Sequence, residues 1–150
     1  MPTHYIGTAK ERLALDTFIK LTRAANTVDA SLAQYGALKK LTPSQFGTLE
    51  ILYHLGPLCA GEIGQKLLKS GGNMTMVIDN LEKQGWVRRE RNPEDRRQVH
   101  IHLTQSGRAL IEAVLPEQVA AIVEVFDVLD RAEQQQLGDL LRKLGQGNSG

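Results

Sequence analysis

Two adjacent guanidinium groups, Arg96 and Arg97, stand beside a carboxylate, Asp95, in the stretch Asn92-Pro93-Glu94-Asp95-Arg96-Arg97. Asn-Pro initiates a turn, so the cluster belongs at a projecting loop tip. An arginine at such a tip can enter a narrow minor groove or clamp phosphate, and a neighbouring aspartate can fix the orientation of one guanidinium. Charge clusters in loops are commonly plain solvated surface, and what precedes this one decides between the readings. Met74, Val77, Ile78 and Leu81 fall three, four and seven residues apart, which makes one face of a helix apolar. Gly72, Asn73, Thr75, Met76, Asn80 and Lys83 lie on or beside the other face. Short side chains that donate and accept hydrogen bonds suit a helix entering the DNA major groove. The loop tip thereby becomes a second DNA contact.

The elements that must hold these residues can be read on either side. Val87, Arg89 and Arg91 alternate with Arg88 and Glu90, and Val99, Ile101 and Leu103 alternate with His100 and His102. That is the period of two of half-buried strands flanking the basic tip. Upstream, Thr42-Pro43-Ser44-Gln45 combines an N-cap, a proline at the first helical position and a capping-box glutamine, so a helix starts there and runs to about Leu55, where Gly56-Pro57 ends it. A short helix over about 61–68 is expected to turn through Ser70-Gly71-Gly72 into the polar-faced helix, with amides at its start able to bind phosphate. Helix, turn, helix, strand, basic tip, strand is the order of a winged helix-turn-helix.

At this point the chain resembles the MarR family of bacterial transcriptional regulators. The resemblance is carried by Asn73 to Val87 (NMTMVIDNLEKQGWV), by Arg91 to Arg97 (RNPEDRR) and by Leu103 to Arg108 (LTQSGR), and the flanking helices extend it over nearly the whole chain. It implies a mainly α fold with a small β-wing, in which intertwined N- and C-terminal helices join two such chains in a homodimer. It also implies that Arg97 is the minor-groove arginine and Asp95 the group that orients it. Met76 is a departure, since many members carry an arginine there. A repressor released from a palindromic operator by a small, phenolic or otherwise aromatic ligand is the function the resemblance implies.

The remaining sequence is consistent with one domain. The expected division is a DNA-binding lobe over about 36–108, with dimerisation helices over about 8–35 and 109–145. Ala14, Phe18, Leu21, Ala25, Val28, Leu32 and Tyr35 are spaced alternately four and three apart, a seam for another helix. Thr104 can cap a helix continuing toward Asp127, which Pro116 is expected to kink or break near Leu115. Val119, Ile122, Val123 and Phe126 form one apolar stripe, and Leu137, Leu140, Leu141 and Leu144 form another after the Asp130/Glu133 cap pair. The closing Gly145-Gln146-Gly147-Asn148-Ser149-Gly150 spells GxGxxG, but no strand precedes it, and a frayed tail is expected. The net charge of +1 conceals an asymmetry: residues 61–108 hold nine Lys/Arg against six Asp/Glu, and residues 109–150 three against seven. The positive part coincides with the expected DNA-binding lobe.

Other chemistry finds less support. There is no Walker loop and no HExxH, and no enzymatic activity or cofactor is expected. His100 and His102 are too few to make a metal site and are expected to be exposed on the wing. Cys59, three residues before Glu62, could have a lowered pKa at a helix N-terminus, although a small buried hydrophobe is the commoner role. A lone cysteine and the absence of a secretory signal or membrane-length apolar run lead to the expectation of a cytoplasmic protein. Two other classes remain open: a redox or metal sensor acting through Cys59 or the histidines, and a protein-interaction module without DNA activity.

Overall fold

The computed structural model describes residues 4–35, 41–67 and 71–149. Among them the chain forms helices α1 (Ala9–Tyr35), α2 (Pro43–Leu55), α3 (Ala60–Leu67) and α4 (Gly71–Lys83), then strands β2 (Val87–Arg91) and β3 (Val99–Leu103), then α5 (Gln105–Phe126) and α6 (Arg131–Asn148). A two-residue strand, β1 (Leu58–Cys59), precedes α3 and was not foreseen from the sequence. It pairs antiparallel with β3, Leu58 opposite Ile101 and Cys59 opposite His100, so the wing is part of a sheet of order β1-β3-β2. Two residues are too short for an alternation pattern, and only the partner strand defines them.

The helix starts follow the capping chemistry. The Thr42 hydroxyl accepts from the Gln45 N–H at 3.1 Å while the Gln45 side chain accepts from the Thr42 N–H at 3.0 Å, and Asp130 and Glu133 make the same reciprocal pair at α6. Each pair satisfies two N–H groups that the first helical turn leaves without partners. At the other end of α2, Gly56 has φ +80°, a conformation that side chains strain to adopt.

Two expectations about the C-terminal half are corrected. The break expected near Leu115 does not occur, since α5 runs through Pro116 as one helix. Both Pro116 and Glu112, the residue whose carbonyl is denied its helical partner, are exposed, so water can serve that carbonyl. The glycine-containing end is helical to Asn148 rather than frayed, with the Asn148 amide donating to the Leu144 carbonyl at 2.9 Å. Gly71 and Gly72, expected in the turn, are the first residues of α4.

The core lies where α2, α3, α4, the sheet and the start of α5 meet. Leu49, Ile63, Met74, Ile78, Leu81 and Ile111 are fully buried in it, with Phe46, Leu52, Val87, Ile101 and Val114 around them. The other helices are different: no residue of α6 is buried, and Phe18 of α1 and Val119 and Val123 of α5 stand in the open.

Candidate nucleic-acid interface

The inner face of α4 is fixed by Met74, Ile78 and Leu81, none of which is exposed, with Val77 half-buried beside them. The helical period then forces Asn73, Thr75, Met76 and Asn80 outward, and all four are exposed. Ser70 lies outside the described residues, and Gly72 is described only as part of the helix backbone.

Beyond the shared core, the Arg89 side chain ties the wing to this helix. The Arg89 guanidinium donates to Asp79 at 2.6 Å and to Glu82 at 2.7 Å, and the Arg89 N–H donates to the second Glu82 oxygen at 3.1 Å. Two carboxylates one helical turn apart are thus clamped onto β2, so the helix and the strand cannot shift independently without breaking charge-assisted bonds. The alternation in the sequence grouped Arg89 with Val87 and Arg91 on one side of the strand and did not itself reveal the clamp. The signal was there as acidic residues at three-residue spacing on α4, but the pairing distance of ten residues hid it.

The wing tip is ordered by its own short polar side chains. Asn92 accepts from the Glu94 N–H at 2.9 Å, and its backbone pairs with Gln98 at 2.9 Å. Asp95 makes the next local turn, accepting from the Arg97 N–H at 3.1 Å and from the Arg97 Nε at 3.2 Å. The Arg97 side chain is 92% exposed, whereas Asp95 is 37% exposed. The acid is therefore built into the loop, and the guanidinium is displayed from it. The Arg96 carbonyl accepts from the Arg91 guanidinium at 2.9 Å, leaving the exposed Arg96 side chain beyond the strand pair.

The outer face of the sheet holds Cys59, His100, His102, Arg88 and Glu90. His100 and His102 are half-buried, which corrects the expectation that they are exposed. β1 covers one flank of β3, and the His102 Nε2 lies 3.5 Å from Glu90, whose carboxylate also pairs with Arg88. That Arg88 bond holds the Glu90 carboxyl below its ordinary range. Among the described residues no group of three or more His, Cys, Asp and Glu is placed to hold a metal ion.

Cys59 directly precedes α3, but its thiol is not activated. Sγ donates to Glu62 Oε1 at 2.7 Å, and the same oxygen accepts from the Cys59 N–H at 3.2 Å. The carboxylate holds the proton on sulfur, and with partial burial it pushes the thiol pKa up, the opposite of the lowering expected at a helix start. Iodoacetamide should accordingly modify Cys59 more slowly than a free cysteine at pH 8, and Glu62→Gln should speed the reaction. An alkylation midpoint below the ordinary thiol range, read by mass spectrometry, would contradict this assignment.

A small helical lobe with a polar, outward-facing helix and an arginine-tipped wing defines the winged helix-turn-helix class of DNA-binding proteins. Residues 41–99 match the model of the MarR family. The chain is 36% identical over 132 residues to the HTH-type transcriptional regulator YkoM of Bacillus subtilis, spanning 88% of this chain and 86% of that one. Among solved structures, it is similar to BpsR of Bordetella bronchiseptica, whose DNA binding is regulated by 6-hydroxynicotinic acid (TM-score 0.80, 28% identity, 87% of this chain and 98% of that one). It is also similar to a mutant MarR of Escherichia coli complexed with operator DNA (TM-score 0.78, 26% identity, 93% and 99%). The chain belongs to the MarR family, and it is a DNA-binding transcriptional regulator, not an enzyme. No helix among the described residues is long and apolar enough to cross a membrane.

Proposed function

We propose that this regulator is a homodimeric repressor that reads a near-palindromic operator and releases it when a small ligand binds. The observation that carries the reading is the joining of α4 and the wing through Arg89, which lets the helix and the Arg96/Arg97 tip approach DNA as one body. In this reading Asn73, Thr75, Met76 and Asn80 face bases in the major groove, Arg97 enters the minor groove under the hold of Asp95, and Arg96 meets phosphate. Ser70, expected from the sequence just before this helix, and the backbone at Gly72 meet phosphates at the helix start in the same reading.

The homodimer is supported by the apolar surface that one chain leaves in water. Phe18, Val119, Ile122, Val123, Leu140, Leu141 and Leu144 are all exposed, and they line α1, α5 and α6, the helices flanking the lobe. Apolar helix faces left in water mark an interface, and a two-fold pair of α4 helices calls for half-sites about ten base pairs apart. The lobe over about 36–108 then reads DNA, while 8–35 and 109–145 dimerise, with Ile111 and Val114 completing the lobe's core from α5.

The ligand step rests on the likeness to BpsR, whose DNA binding is regulated by an aromatic acid. A ligand with unequal affinity for two separations of the recognition helices would shift operator binding. A recess of about 220 Å³ lies between Ser31 of α1 and Ala121, Glu124 and Val125 of α5. Its carboxylate makes it a poor match for an acid, so it is not assigned as the effector site.

The test is a footprint on DNA flanking the gene, followed by titration of the protected site. Asn80→Ala and Thr75→Ala should weaken that site more than random DNA, by roughly 1–3 kcal/mol for each base no longer read. Equal losses on both DNAs would reduce these residues to positioning. Sedimentation should show a dimer, and a folded monomer at micromolar concentration would overturn the homodimer.

A further inference from the structure

Between Gly56 and Gln118 the described residues include one large apolar side chain that is exposed, Met76, at 66%. The other exposed apolar residues sit on α1, α5 and α6 and their flanks or, in the case of Leu55, at the end of α2, so the surface proposed to join two chains does not account for Met76. Its direction is set by the core. At about 100° per residue, a position two steps from both Met74 and Ile78 points almost directly away from them, and those two are fully buried. Asn73, Met76 and Asn80, spaced three and four apart, form one row along the outer face of α4. The row therefore reads amide, thioether, amide.

On the reading that α4 enters the major groove, we infer that Met76 is a specificity-determining residue that recognises the 5-methyl group of a thymine. A thioether has no proton to donate and accepts only weakly. Over a guanine or cytosine edge it would strip water from N7, O6 or the N4 amine and return no hydrogen bond. Over a thymine it covers a methyl group, and both partners remove apolar surface from water. The flanking amides fit the same composition, because asparagine pairs with the N6/N7 edge of adenine and an A·T pair presents that edge beside the thymine methyl. The half-site should thus carry A·T pairs under this row, with one thymine methyl against Met76.

Replacing thymine by uracil deletes that methyl and leaves every hydrogen-bonding group unchanged. Operator duplexes, defined by the footprint, carry uracil at one thymine position at a time and are titrated with the full-length protein. Wild type should bind about fourfold more weakly at one thymine per half-site, the value of one buried methyl, and roughly fifteenfold more weakly when both half-sites are changed. Met76→Ala should bind the thymine and uracil operators equally, whereas Met76→Leu should keep the difference. Thr75→Ser, which removes the other exposed methyl that the described residues place at the centre of this face, should keep it as well. Circular dichroism should show all three variants folded, since neither side chain enters the core.

Persistence of the thymine–uracil difference in Met76→Ala, its disappearance in Thr75→Ser, or indifference of the wild type to every substitution would each overturn the inference. In all three cases the footprint itself would still stand. A wild-type protein with no preferred site would instead overturn the operator-reading proposal, and this inference with it.

Discussion

Arg97→Ala should bind its operator roughly ten- to hundredfold more weakly, about 1–3 kcal/mol for a specific contact, while folding like the wild type. The side chain is 92% exposed and among the described residues bonds only to Asp95 in its own turn, so its removal takes nothing from the core. What disappears is a cation displayed from an ordered tip to a groove that is most negative where it is narrow. Asp95→Ala should reproduce the effect more weakly. It leaves the guanidinium in place but removes the acceptor of both the Arg97 N–H and Nε, so the tip enters the groove with more freedom to give up. Arg96→Ala should act alike on all sequences and lower the salt slope by about one per phosphate contact. Titrations of the three variants across a salt series, with circular dichroism as a control, separate these cases. Wild-type affinity in a folded Arg97→Ala would rule out the insertion of the wing.

Gly107→Ala should destabilise the fold by about 3 kcal/mol, roughly 10 °C in Tm, even though it replaces a glycine inside a helix. Helix propensity alone predicts the opposite sign, a gain of about 1 kcal/mol. The local crowding decides between them. A Cβ at Gly107 would meet the Trp86 carbonyl oxygen at 2.0 Å, and that oxygen is backbone held by the Thr104 N–H at 3.1 Å. Thr104 closes the junction: its hydroxyl donates to the Gly85 carbonyl at 2.6 Å and accepts from the Gly107 N–H at 3.0 Å. Gly85 at φ +80° turns the chain out of α4 into this joint. The Leu103-Thr104-Gln105-Ser106-Gly107-Arg108 segment is therefore where the exit of α4, the wing and α5 are fastened together. Thermal unfolding reads the sign directly, and a Gly107→Ala protein as stable as wild type would mean that the joint can open without cost.

The residues that face the proposed DNA were legible from sequence because local periodicity carries them. The apolar set Met74, Ile78 and Leu81 fixes which way α4 turns, and that alone exposes Asn73, Thr75, Met76 and Asn80. Alternation found both wing strands, and short-range capping patterns found the starts of α2, α5 and α6. The contact between Asp95 and Arg97 was implied by the family resemblance, and its partners are two residues apart. Cys59 shows the limit of that reasoning. Its place before a helix is a local fact that argues for a lowered pKa, yet the side chain of Glu62, folded back over it, reverses the direction.

By itself, then, the sequence determined the elements and their faces, because spacing and capping act over one or two helical turns and leave a periodic trace. Tertiary structure decided what pairs across the chain. The Arg89 clamp on Asp79 and Glu82, the strand Leu58–Cys59 that exists only beside β3, and the crowding of Gly107 on Trp86 join residues whose neighbours give no repeating signal. Pro116 belongs with them: a proline's intrinsic penalty is local, but whether a helix survives it depends on what meets the carbonyl it leaves unbonded, and in α5 that side faces solvent.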